Sequence, residues 1–76
     1  MTIDQAIGRE IRHRLIDADM SQADLARRLN VTTASVSRKL PGQRHITAED
    51  LYDYAQALEV EPADLLPRRS AIDTEG

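Results

Sequence analysis

Apolar positions recur at helical spacing along the chain, and most of the runs open with the same local signature. An apolar residue precedes a cap, a polar residue follows three places later, and another apolar residue comes next. The pattern appears as Met20-Ser21-Gln22-Ala23-Asp24-Leu25, as Val31-Thr32-Thr33-Ala34-Ser35-Val36 and as Ile46-Thr47-Ala48-Glu49-Asp50-Leu51. A fourth version, Val60-Glu61-Pro62-Ala63-Asp64-Leu65, has a poorer cap but carries Pro at the first helical position. The cap side chain accepts a backbone N–H of the first turn, and the flanking apolar pair forms a hydrophobic staple. An Asp three places after the cap also suits the positive end of the helix dipole. Thr2, with Gln5 completing a capping box, marks a further start.

These signals predict five helices. The first covers residues 3–18, with Ile7, Ile11 and Leu15 on one face at i, i+4 and i+8. The second, 22–29, buries Leu25, Ala26 and Leu29. The third, 33–40, buries Val36 and Leu40 and ends at Pro41-Gly42. The fourth, 48–58, buries Leu51, Ala55 and Leu58. The fifth is a short turn over 62–66, closed by Pro67. No segment alternates apolar and polar residues long enough to make a strand. The expected class is all-α, a compact five-helix domain over residues 1–67 with a polar, disordered tail over 68–76. A chain of 76 residues holds a single core.

Composition narrows the chemistry. With no Cys, disulfides, thiol catalysis and cysteine-based metal sites are excluded, and His13 and His45 are too far apart in sequence to suggest a zinc site. The absence of Trp and Phe argues against a base-stacking platform. No apolar run approaches the length of a membrane span and no basic segment followed by an apolar one opens the chain, so a cytoplasmic location is expected. No cofactor or small-molecule pattern is present.

The net charge of −3 hides a polarised distribution. Residues 21–45 carry Arg27, Arg28, Arg38, Lys39 and Arg44 against Asp24 alone, whereas Glu49, Asp50, Asp53, Glu59, Glu61 and Asp64 lie in 46–66 with no base. Such a dipole orients the basic part toward a polyanion.

The second and third helices are joined by Asn30-Val31-Thr32. Asn is the non-glycine residue best able to take the left-handed conformation this turn needs. Ala26 is small where a second helix must cross, and Leu25, Leu29, Val31 and Val36 are expected to seal the pair. The pattern is that of a helix-turn-helix. With Val36 and Leu40 turned inward, Thr33, Ala34, Ser37 and Arg38 face outward, short at the N-terminus with one long base a turn later. A helix so built enters a major groove about 12 Å wide, where Arg reaches O6 and N7 of guanine in a bidentate pair.

Ser21-Gln22, Leu25-Ala26, Leu29-Asn30-Val31-Thr32, Val36-Ser37-Arg38, Gly42 and Leu58-Glu59-Val60 together resemble the lambda-repressor-like (Cro, phage repressor or XRE) DNA-binding family, over about residues 7–66. The resemblance implies a third helix lying in the major groove and a homodimer on a pseudo-palindromic operator in double-stranded DNA. Thr33, Ala34, Ser37 and Arg38 match its base-reading positions, with Arg38 set to read a guanine and Ala34 a thymine methyl. Gln22 matches the residue that touches the backbone and supports the recognition helix, and Thr32, Lys39, Gln43 and Arg44 fall where the family contacts phosphates. His45 falls in the same stretch, either as a further phosphate contact or as plain loop. The expected dimer interface lies around Leu65, Leu66 and Ile72. Two positions depart from the family. Leu15 and Leu40 stand where many members place an Arg–Glu pair, which removes one way of holding the loop over 41–46, and Asn30 stands where Gly is common.

The resemblance therefore implies a transcriptional regulator of phage or prokaryotic type, a repressor rather than an activator. Nothing of substance follows Leu66, so regulation is expected to come from concentration, proteolysis or a partner. The rival reading is a protein-interaction module of the same fold, such as an antitoxin, anti-repressor or accessory factor. Such a module would show apolar anchors on the third helix. An enzyme is not expected: Glu49, Asp50, Asp53 and Glu59 have the spacing of a solvated helix face, with no His, Cys or Lys beside them in a catalytic pattern.

Overall fold

The computed structural model describes residues 1–67, within which lie five helices and no strand. They are α1 (Ile3–Asp17), α2 (Gln22–Leu29), α3 (Thr33–Lys39), α4 (Ala48–Leu58) and α5 (Pro62–Leu65). The starts fall where the caps place them. Thr2, Ser21 and Thr47 each accept the N–H of the residue three places on, and Gln5, Asp24 and Asp50 return a side-chain oxygen to the cap N–H, closing three capping boxes. Thr32 caps α3 in the same way without the return bond. The tail proposed over 68–76, and Ile72 with it, lies outside the described residues.

Three helices end on a left-handed residue that is not glycine. Asp19 (φ 55°), Asn30 (φ 59°) and Glu59 (φ 61°) reverse the chain after α1, α2 and α4. Each reversal is closed by a bond from the following N–H to a carbonyl five residues back: Met20 to Leu15 at 2.9 Å, Val31 to Ala26 at 3.0 Å and Val60 to Ala55 at 2.9 Å.

The core gathers Ile7, Ile11 and Leu15 of α1, Leu25 and Ala26 of α2, Val36 and Leu40 at α3, Ile46 of the loop before α4, Tyr54 and Ala55 of α4, and Leu65 of α5. α2 packs on α3 and on α4, α4 carries α5, and α1 lies across α4 and α5. Four expectations are corrected. Tyr54, not Leu51 or Leu58, is the large buried side chain of α4; those two leucines are half-buried against the core edge. Burial, then the Asp50 charge, pushes the Tyr54 phenol up to about 12. Leu29 is likewise half-buried, and Val31, expected to seal α2 to α3, is 46% exposed because it sits on the outer side of the turn. Finally, Leu65 is fully buried under α4 and has no surface to offer a partner, whereas Leu66 is 47% exposed.

The loop over 41–46 is held by α1. A Cβ on Gly8 would lie 1.8 Å from the Leu40 carbonyl oxygen, so only glycine lets α1 approach the end of α3 this closely. Gly42 (φ 90°) rests on Gln5, where a Cβ would meet Cγ at 2.6 Å. Leu15 and Leu40 are both buried in the core.

Candidate nucleic-acid interface

Asn30 in the left-handed conformation turns the chain sharply out of α2, and Thr32 restarts it with its Oγ1 accepting the Ser35 N–H at 3.2 Å. α3 then has two unlike faces. Val36 and the cap residue Leu40 are fully buried against α2 and the core, while Thr33, Ala34, Ser37 and Arg38 are all exposed on the opposite side. The Ser37 hydroxyl donates to the Ala34 carbonyl at 3.1 Å, so its exposed oxygen remains free to accept. No carboxylate belongs to this helix.

The basic stretch is less uniform than its composition suggests. Arg27 is paired with Asp24 one turn earlier on α2. Arg28 donates to the Ala57 carbonyl at 2.9 Å and so caps the C-terminal end of α4. Lys39, placed by resemblance among the phosphate contacts, is turned back into the fold. Its Nζ lies 2.9 Å from Asp50 Oδ2, and its side chain is only 18% exposed. The same oxygen accepts the Thr47 N–H at 3.0 Å. Burial works to raise the Asp50 carboxyl, but the Thr47 N–H and the Lys39 ammonium outweigh it and hold the group below its ordinary value. Lys39 thus ties α3 to α4.

Arg38 and Arg44 make no side-chain hydrogen bond or ion pair among the described residues, and both are exposed. The Arg38 carbonyl accepts the N–H groups of Gln43 at 3.1 Å and Arg44 at 3.2 Å, which folds the loop back beside the end of α3. Gln43 and Arg44 are therefore carried on the same side of the molecule as that helix end. Gln22 is half-buried at the first position of α2, immediately after the Ser21 cap. Thr32 is exposed at the head of α3.

Two contributors escaped the sequence reading. Asp4 Oδ1 accepts the Ile46 N–H at 3.0 Å, and Asp4 Oδ2 lies 3.0 Å from His45 Nδ1. The His45 hydrogen bond, then the Ile46 N–H, holds the Asp4 carboxyl below its ordinary value. The second is Gly8. Neither has a local signal, since both act on residues more than thirty places away; a histidine following Arg44 was the only hint.

Among the described residues no three His, Cys, Asp or Glu side chains lie together as a metal ion requires, and no helix is long and apolar enough to cross a membrane.

The comparisons agree with this geometry. A transcriptional regulator encoded in the ATPase CF(0) region of Rhodospirillum rubrum is 34% identical over 58 residues, a match that covers 76% of this chain and 54% of that relative's length. Among solved structures, the clp gene regulator ClgR from C. glutamicum superposes with a TM-score of 0.81 at 23% identity, covering 86% of this chain and 84% of its own. The restriction-modification controller protein C.AhdI from Aeromonas hydrophila gives 0.76 at 26% identity, with 80% and 92% covered. The family model for the Cro/C1-type helix-turn-helix DNA-binding domain matches residues 10–68, most of the chain, and includes the α2–Asn30–α3 unit described above. The chain belongs to the Cro/C1-type helix-turn-helix DNA-binding domain family.

Proposed function

We propose that this chain is a sequence-reading transcriptional regulator, a repressor in its simplest mode, that lays α3 in the major groove of double-stranded DNA. The observation that carries the reading is the outward face of α3. Three short side chains, Thr33, Ala34 and Ser37, let the helix approach base edges, and Arg38 beside them has no competing carboxylate among the described residues. Arg38 reads a guanine, Ala34 a thymine methyl, and Thr33 and Ser37 hydrogen-bond base edges. Gln22, Thr32, Gln43 and Arg44 contact phosphates and fix the register. Lys39 acts through its bond to Asp50, by holding α3, rather than as a phosphate ligand.

One α3 reads only a few base pairs, so a homodimer on a pseudo-palindromic operator, with half-sites about one helical turn apart, supplies useful specificity. The names of the matched relatives, a gene regulator and a controller protein, support a regulatory role. We assign the protein to the cytoplasm and to binding rather than catalysis on the same grounds. Selection of bound duplexes from a random pool tests the reading. A symmetric preferred site is expected; recovery of unselected sequence, or a chain indifferent to every duplex at low salt, contradicts it and leaves the protein-interaction alternative.

A further inference from the structure

The segment over 41–46 carries Gln43 and Arg44, yet it has no regular secondary structure of its own. Its near end is fixed on Arg38 by two backbone bonds, and Gly42 rests on Gln5. Its far end is fixed on Asp4. Both carboxylate oxygens are used there, one by the buried Ile46 N–H and one by the His45 ring. Asp4 stands in the first turn of α1, where the positive end of the helix favours its charge.

The His45 contact depends on the state of the ring. A neutral imidazole with its proton on Nε2 presents a lone pair to the carboxylate, whereas a protonated ring always donates from Nδ1 and adds opposite charge. Asp4 is the ionised group in contact with the ring. Arg44 beside it in the loop, Glu49 near the start of α4 and the amine of Met1 are exposed and make no ion pair with it.

We propose that Asp4 is a positioning residue for DNA binding: by holding the Ile46 N–H and the His45 ring it clamps the Gln43–Arg44 segment onto α1. The proposal rests on the reading of that segment as phosphate-contacting. It commits to a sign that simple charge does not predict, because removing an acid near a polyanion should strengthen binding.

The test is fluorescence anisotropy with a labelled mixed-sequence duplex at low salt, on the parent and on an Arg44→Ala background. Asp4→Asn keeps the size and an acceptor but loses the charge, and far-UV circular dichroism checks that it is folded. The expected result is several-fold weaker binding than the parent, and a much smaller further loss when Asp4→Asn is added to Arg44→Ala. His45→Gln, at a side chain 75% exposed, is expected to weaken binding in the same direction with little change in melting temperature, and serves should Asp4→Asn unfold. The double Asp4→Asn, His45→Gln variant should be no worse than Asp4→Asn alone. Asp4→Asn binding as tightly as the parent, or losing as much on the Arg44→Ala background as on the parent, overturns the clamp while the DNA-binding reading stands. A parent that ignores the duplex overturns both.

Discussion

The Leu40 carbonyl oxygen sits 1.8 Å from where a Cβ on Gly8 would be, so α1 and the end of α3 meet backbone to backbone. Nothing in that contact can rotate away, as a side chain would. Gly8→Ala should therefore lose far more than the roughly 1 kcal/mol that Ala gains over Gly in a helix. Net destabilisation of about 3 kcal/mol is expected, at the upper end for overpacking. Thermal unfolding should show it as a fall of more than about 10 °C in Tm; a variant that melts with the parent would place the two backbones further apart.

Glu59 offers the opposite opportunity. It ends α4 at φ 61°, a conformation that costs an ordinary L-residue about 1 kcal/mol and glycine nothing. Glu59→Gly should stabilise the domain by about 0.5–1 kcal/mol after the extra freedom of the unfolded chain is counted. Asn30→Gly should gain less, because Asn tolerates this region better. Chemical denaturation with an unchanged slope and a higher midpoint is the expected record; equal gains at both sites would contradict the argument.

Arg38 and Arg44 should behave differently. Arg38→Ala is expected to cost about 1–3 kcal/mol against the preferred duplex and to relax preference at one base pair. Arg44→Ala should weaken all duplexes alike and lower the salt slope by about one. Binding isotherms over a salt series separate the roles, and a uniform loss for Arg38→Ala would make it a phosphate ligand.

Acid should loosen the fold through Asp50. Its carboxyl is held below the ordinary 3.8, so the folded state favours the charged form. The stability this contributes is complete well above pH 4 and is lost as pH falls through 3.8 toward the lower folded value. Asp4 and Asp24 are held down as well and share the trend. Asp50→Asn should be less stable than the parent at neutral pH, through loss of the Lys39 pair and the charged cap, and should decline less on acidification. Melting curves from about pH 7 to 2.5 read both effects; parallel declines would mean that Asp50 is not among the groups responsible.

What was legible in the sequence was local. Thr2, Ser21, Thr32 and Thr47 announce their helices because a cap bonds within three residues, and Ile7, Ile11, Leu15, Leu25 and Val36 show their buried face by spacing alone. Asn30 was readable as a left-handed turn because few residues suit one. The features that depend on a distant partner were not. Lys39 looks like any base at a helix end until α4 brings Asp50 beside it. Asp4 looks like first-turn dipole decoration until the loop returns to it. Tyr54 reads as amphipathic, and only the packing of α4 decides that its ring goes in. Leu65 and Leu66 are adjacent and alike, yet the short α5 buries one and exposes the other.

The claim on which the account turns is that the outward face of α3 meets DNA. The most direct measurement is an amide chemical-shift titration of the labelled chain with its selected duplex. The account predicts the largest changes at Gln22, over Thr33–Arg38 and at Gln43 and Arg44, with Tyr52, Asp53 and Gln56 on the acidic outer side of α4 unmoved. Changes centred on α4, or a spectrum that stays still as duplex is added at low salt, would contradict it.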